Sequence, residues 1–151
     1  MSNRVRYQLS ASVFVALRNS DQVLMLRRKG TGWMDGSFSL PAGGLDAGET
    51  ISQAAIREAY EEIGIGLSPG DLVYAHTLHS LTEGQNWMGH FFIATRWEGT
   101  PKLVELDKHS DIGWWPMGSL PSRTIPYVRQ ALLNIGKAIP YSEYGWGEAE
   151  R

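Results

Sequence analysis

Residues 40–65 read LPAGGLDAGETISQAAIREAYEEIGI. An apolar entry strand, a glycine-rich loop and one helix follow one another in this stretch. Thr50, with Gln53 three residues on, forms a capping box at the start of the helix, and Gly64 stands where the helix should stop. At about 100° per residue, Ala55, Ile56, Ala59 and Ile63 share one apolar side suited to packing on a sheet. Glu58, Glu61 and Glu62 share the neighbouring side, within an arc of about 100° set by the helical period.

Three carboxylates on one stripe repel each other, at roughly 0.2–0.5 kcal/mol per pair. The only basic residue of the helix is Arg57, placed to pair with Glu61 at i+4. One reading is an ordinary acidic surface face. The other is a cluster whose missing positive charge comes from a divalent cation. The loop favours the second. Gly43, Gly44 and Gly48 mark positions that call for positive φ or close approach to a neighbour. Glu49 ends the loop beside the helix N-terminus, where the dipole favours an anion. A loop that turns its backbone toward three carboxylates builds a concave metal and phosphate site.

Gly43, five residues, Glu49, seven residues, then Arg57-Glu58-Ala59-Tyr60-Glu61-Glu62-Ile63-Gly64-Ile65 resembles the Nudix box of the Nudix hydrolases, with every fixed position filled. Ala59 stands where a larger aliphatic is more usual, a difference of packing and not of chemistry. The resemblance implies an α/β fold, an α/β/α sandwich with a curved mixed sheet between helices, formed by residues 1–151 as a single domain. It implies Mg²⁺ or Mn²⁺ held by Glu58, Glu61 and Glu62 with the carbonyl of Ala42. Arg57 would orient the glutamates, Glu49 would brace loop and helix, and the backbone at Gly43 and Gly44 would meet the substrate. Family members place a general base either in the box or on a loop well downstream. Glu105, following the Trp97-Glu98-Gly99 turn, is the first expectation for that base, with Glu62 next and Glu83 and Glu98 behind.

The rest of the composition sets bounds. A chain of 151 residues, 42% hydrophobic and 20% charged, suits one globular domain. A formal charge of −2 gives no basic field for sequence-independent binding to nucleic acid. The absence of cysteine excludes disulfides, zinc–thiolate sites and cysteine nucleophiles. The longest apolar run, Val13 to Leu17, is too short to span a membrane, and no secretory h-region opens the chain. A cytoplasmic location is expected.

Outward from the box, Tyr7 to Leu17 and Gln22 to Arg28 read as two strands of a hairpin, with turn chemistry at Arg18-Asn19-Ser20-Asp21. Arg27, Arg28 and Lys29 form the densest basic cluster. It is either a charged strand end or a place where an arginine meets substrate phosphates bidentately. Residues 30–36 (GTGWMDG) form a loop on which Trp33 either packs or covers a base or ribose. Phe38 to Leu40 is a short strand. Leu67 to Asp71 is a loop, and Leu72 to Leu81 is a strand whose His76 and His79 lack partners at metal-ligand spacing, which favours structural roles. A turn at 82–86 precedes a strand from Trp87 to Trp97, and Lys102 to Asp111 is a polar loop. Ile112 to Pro116 is a short aromatic strand, and Pro126 to Gly136 a second helix with Val128, Leu132 and Ile135 on one face. Residues 141–151 carry no assignable pattern.

The expected activity is hydrolysis of a nucleoside diphosphate linked to another group X. The shortness of the chain and the Trp97-Glu98-Gly99 turn are similar to MutT-type enzymes, which cut nucleoside triphosphates, oxidised ones included, to monophosphates. Ser80, Leu81 and Thr82 occupy the region where ADP-ribose hydrolases often carry a proline and diadenosine polyphosphate hydrolases a tyrosine slightly later, so neither signature is met. ADP-ribose or a nucleotide sugar is the alternative substrate. The isopentenyl diphosphate isomerase branch needs a cysteine, and the mRNA-decapping branch needs an RNA-binding surface that an acidic chain does not offer. A non-catalytic nucleotide sensor is the alternative of another class, although sensors commonly carry an eroded box. Homodimers are common in the family, so the resemblance leaves self-association open.

Overall fold

The computed structural model describes residues 4–147. Its elements are β1 (Ser10–Asn19), β2 (Gln22–Arg28), β3 (Phe38–Ser39), β4 (Ala42–Gly44), α1 (Ile51–Ile63), β5 (Leu72–Thr82), β6 (Gln85–Ala94), β7 (His109–Pro116), α2 (Pro126–Gly136) and β8 (Tyr141–Tyr144). A single 3₁₀ turn, Pro69–Asp71, precedes β5.

One curved mixed sheet carries the order β3-β2-β1-β6-β5-β8, with β4 also on β1 and β7 also on β2. β1 runs parallel to β6 from Ser10↔Trp87 to Leu17↔Ala94, and β5 runs parallel to β8. The other pairings are antiparallel. The two helices lie on opposite faces. Val13, Val15, Leu17, Leu24 and Leu26 join Ala55, Ala59 and Ile63 of α1 in one core. Phe14, Ala16, Val23 and Met25 join Val128, Ala131 and Leu132 of α2 in the other. The uninterrupted apolar runs of β1 and β2 follow from this, because a strand covered on both faces has no side to leave polar.

Thr50 and Gln53 close the capping box of α1, and Gly64 ends the helix at φ 72° with its N–H on the Tyr60 carbonyl. Ala54, Ala55 and Ala59 are fully buried, and their small side chains let α1 sit close on the sheet. The last carbonyls of α1 are met by the following loop. Lys102 N–H donates to Ile63 O at 3.0 Å and Val104 N–H to Glu62 O at 3.2 Å.

Several boundaries differ from the sequence reading. β1 begins at Ser10 and runs on through Arg18 and Asn19, which pair with Val23 and Gln22, so the hairpin turn is only Ser20-Asp21. Residues 42–44 are a strand on Ser12–Phe14 and not free loop; Ala and Gly carry no strand signal, and the pairing is purely tertiary. His109 to Asp111 belong to β7, paired with Arg28 and Arg27, so the polar loop is shorter at its far end. The unassigned tail supplies β8, held through His76, whose ring nitrogens bond Ile139 O and Ser142 Oγ, while His79 bonds Asn86. Both histidines are structural here. Residues 148–151 of that tail lie outside the described residues.

Replacing Thr50 with Ala removes the hydroxyl that accepts the Gln53 N–H. A loss of about 1 kcal/mol, or roughly 2–4 °C in Tm, is expected in thermal unfolding. An unchanged Tm would mean that the cap contributes nothing.

Candidate active site

Arg57 is the centre of the box. Its Nη2 and Nε donate to the two oxygens of Glu49 at 2.7 and 3.1 Å, a forked pair. Its Nη1 donates to Glu58 at 2.9 Å and Glu61 at 3.3 Å, and Nη2 also reaches the Gly44 carbonyl at 3.0 Å. The i+4 pairing read from the sequence is present, but it is the longest of these contacts. Glu49 also accepts the Asp46 N–H, so one carboxylate ties the loop to the helix. The Arg57 hydrogen bonds, followed by that from Asp46, hold the Glu49 carboxyl below its ordinary range.

The three glutamates sit at three depths. The Glu61 side chain is 47% exposed, that of Glu58 12%, and Glu62 is buried. Glu62 accepts the Ala42 N–H at 2.8 Å. Burial above all, with the charges of Glu58 and Glu105 adding to it, pushes the Glu62 carboxyl up to about 8. Glu58 is raised as well, chiefly by burial, with Arg57 opposing and Glu61 and Glu105 reinforcing. A Cβ at Gly43 would overlap the Glu58 carboxylate, so the close approach inferred there is real. Gly48 has φ +84°. Gly44 has neither property: a Cβ there meets open space, and the residue contributes only its carbonyl.

Among the described residues no three Asp, Glu or His side chains stand close enough to close on an ion. Arg57 draws Glu58 and Glu61 toward itself, and Glu62 turns to Ala42. The chemistry of the donor set nevertheless fits a hard dication: oxygen ligands, two of them largely buried, with one guanidinium to offset them. Glu58, Glu61 and Glu62 are the side chains that could hold it. Ala42 engages this group by donating its N–H to Glu62, and its carbonyl oxygen is the backbone atom that could act as a ligand.

Glu105 joins this group because residues 102–104 cap α1. Its carboxylate lies 3.8 Å from Lys108 Nζ, shares a groove with Glu61, and is near enough to raise both Glu58 and Glu62. Glu83 lies elsewhere, at the apex of the β5–β6 hairpin, bonded to Trp33. Arg27 and Arg28 point to different sides of β2. Arg27 pairs with Asp111 and lies over Phe38, away from the box. Arg28 lies over the Trp33 ring at 5.0 Å and lines a cavity of about 170 Å³ with Ser12, Gly43, Glu62, His109 and Tyr127. That cavity is where a substrate phosphate would meet the buried carboxylate.

Three wall residues were not singled out from the sequence. His109 is 7% exposed and its Nδ1 has no partner among the described residues. Burial, and then the charges of Arg28 and Lys108, holds its ring below the ordinary imidazole range, so it is neutral at pH 7. Tyr127 enters from the first turn of α2, and Phe14 from β1. Nothing local marks either one, because both are apolar-face residues of ordinary elements.

The comparisons with known proteins agree with this geometry. Residues 6–133 match the NUDIX domain, and the chain belongs to the Nudix hydrolase family. It is 27% identical to the RNA pyrophosphohydrolase of Erythrobacter litoralis (strain HTCC2594), covering 88% of this chain and 90% of that protein. It is 36% identical to the 8-oxo-dGDP phosphatase NUDT18 of Mus musculus, over 81% of this chain but only 36% of the mouse protein. The MutT NUDIX hydrolase from Burkholderia pseudomallei superposes with a TM-score of 0.77 at 26% identity, over 84% of this chain and 98% of that one.

Two outcomes are expected. Gly43→Ala should reduce activity by at least tenfold, because the methyl group displaces Glu58, whereas Gly44→Ala should stay within about twofold. Equal effects would contradict the steric assignment. Glu62 is raised above its unfolded value near 4.5, so its contribution becomes unfavourable as pH rises and is complete above about 8. The lowered His90 and His109 act in the opposite sense but are spent above their usual value of 6.5. In EDTA, Tm should therefore fall from pH 6.5 to about 8, and Mn²⁺ should suppress that fall. A flat profile in EDTA would refute the buried carboxylate's role.

Proposed function

We propose that this protein hydrolyses a nucleoside triphosphate, ordinary or oxidised, to the monophosphate and pyrophosphate, using Mg²⁺ or Mn²⁺. The observation that carries the reading is the clustering of half-buried Glu58 and Glu105 around buried Glu62, which lines a cavity together with Arg28 and aromatic rings. In the reaction one water adds across the α–β anhydride: its oxygen bonds to phosphorus, the bridging P–O bond breaks, and its proton leaves. Glu105 takes that proton, from a position that Lys108 and the capped end of α1 define. Arg28 orients the phosphates, and Arg57 with Glu49 keeps the loop and helix in register. Glu58, Glu61, Glu62 and the Ala42 carbonyl would hold the dication, which would supply neutralising charge for the phosphate oxygens and a more acidic water. Positioning and charge stabilisation account for most of the lowered barrier.

ADP-ribose or a nucleotide sugar is the second reading. A further cavity of about 380 Å³ between Tyr127 and Tyr144 offers room for a second group. An RNA 5′-triphosphate carries the same anhydride, and several relatives bear the name RNA pyrophosphohydrolase. The formal charge of −2 speaks for a free nucleotide. Among the described residues no helix is long and apolar enough to cross a membrane. A cytoplasmic, single-domain enzyme accords with a free-nucleotide substrate and a chain without cysteine.

The test is pyrophosphate or phosphate release from a panel of triphosphates, ADP-ribose, nucleotide sugars and 5′-triphosphorylated RNA with Mg²⁺. Tight binding without turnover of any would indicate a sensor. Glu105→Gln should lower the rate by roughly 10²–10⁴ with Tm retained. A change of less than threefold would put the base elsewhere.

A further inference from the structure

Three cavities meet at one pair of rings. The Trp33 indole and the Tyr127 phenol ring lie 6.4 Å apart and 23° from parallel. The cavity holding Glu62 reaches them, as do one of about 320 Å³ along Ser10, Ser12 and Gln85 and the one of about 380 Å³ beside Tyr144. Bases stack about 3.4 Å apart, so a base between two rings needs about 7 Å. With centroids 6.4 Å apart and planes 23° from parallel, the two rings must part to admit a base. Tyr127 is fixed by α2, but Trp33 rides on a loop that turns through Gly30, Gly32 and Gly36 at positive φ. An outward shift of Trp33, with its Arg28 contacts rearranged, would open the slot.

Arg28 holds Trp33 at its backbone carbonyl and over one ring face, and Glu83 holds the indole edge. The Trp33 Nε1–H donates to Glu83 Oε2 at 2.8 Å, across fifty residues of sequence. Glu83 has φ 51° and Gly84 φ 80°, a two-residue hairpin turn that sets the carboxylate at the mouth of both outer cavities. Among the residues lining those two cavities, Glu83 is the one charged side chain. A carboxylate only accepts hydrogen bonds and takes two parallel donors best.

We infer that this slot selects guanine, with Trp33 and Tyr127 against the faces of the base and Glu83 reading its edge. Guanine presents N1–H and the 2-amino group side by side, two donors for one carboxylate. Adenine and cytosine present one donor beside an acceptor that the carboxylate repels. Uracil and thymine place one N–H between two carbonyls. Because this edge is unaltered by an oxygen at C8, ordinary and oxidised guanine are accepted alike on it. The inference deepens the nucleotide reading above and rests on it.

The experiment compares kcat/KM for GTP and ATP with Mg²⁺, alongside calorimetric binding of GMP and AMP. A bidentate pair is worth about a tenfold preference or more, so wild-type protein should favour GTP by that factor. Glu83→Gln keeps an acceptor for the Trp33 indole but replaces one oxygen with a donor, and the GTP:ATP ratio should fall to within about twofold, through KM for GTP. Trp33→Phe removes the indole N–H, and should raise KM for both nucleotides while keeping the ratio. Equal loss of the ratio in both variants would mean that Glu83 is only a latch for Trp33, and would overturn the inference. A wild-type ratio within twofold, with GMP and AMP binding alike, would also overturn it. If no triphosphate is hydrolysed but GMP still binds at least tenfold tighter than AMP, the base assignment stands and the hydrolysis proposal falls.

Discussion

One guanidinium holds the loop, the helix and the acidic cluster in a single arrangement. Arg57 has five N–H donors in a rigid fork and spends them on Glu49, Glu58, Glu61 and the Gly44 carbonyl. A lysine could neutralise one carboxylate, but it could not fix the geometry of three. Glu49 then transmits that geometry to Asp46 and the loop. What Arg57 does not reach is Glu62. That carboxylate is left to one backbone N–H and to burial, and the difference between the two environments separates their proton affinities.

The position of Glu105 follows from an unrelated necessity. A helix leaves its last carbonyls without partners, and here the chain after Gly99 returns to satisfy two of them. Lys102 and Val104 supply the N–H groups, and Glu105 is the next residue along. A structural obligation at the end of α1 thus delivers a carboxylate beside the box, forty residues away in sequence from Ile65. The same economy governs the cavity, where β2 contributes Arg28, β7 His109 and α2 Tyr127.

How far the sequence carried the reading depended on range. The capping box, the Gly64 stop and the whole of α2 are set by neighbours within a few residues, and the structure agrees with each. The turn read at 82–86 shrinks to Glu83-Gly84, because Thr82 pairs with Gln85 and Leu81 with Asn86. The box glutamates were legible as a group, since one helix fixes their mutual positions. Their unequal depths were not, because depth depends on what α1 packs against. β4 escaped notice since Ala-Gly-Gly has no strand character of its own, and Gly44 was credited with a steric need that belongs to Gly43 alone. The split between Arg27 and Arg28 follows from strand alternation, but choosing between them required knowing which side of β2 faces the site. β8, Tyr127 and His109 were invisible for a related reason: each owes its role to a partner far along the chain.

The direction of α1 has one more consequence. Glu61 and Glu62 occupy its final turn, where the helix macrodipole carries its negative pole. That turn holds no basic residue of its own, and Lys102 of the following loop packs beside Gly64. The Glu61 side chain and the backbone dipole therefore act in the same sense, and buried Glu62 joins them only as it ionises. A bare polyphosphate would approach against that combined field, whereas one already complexed with a cation would be drawn along it. The orientation of a single helix would thus favour a polyphosphate that arrives already paired with its cation.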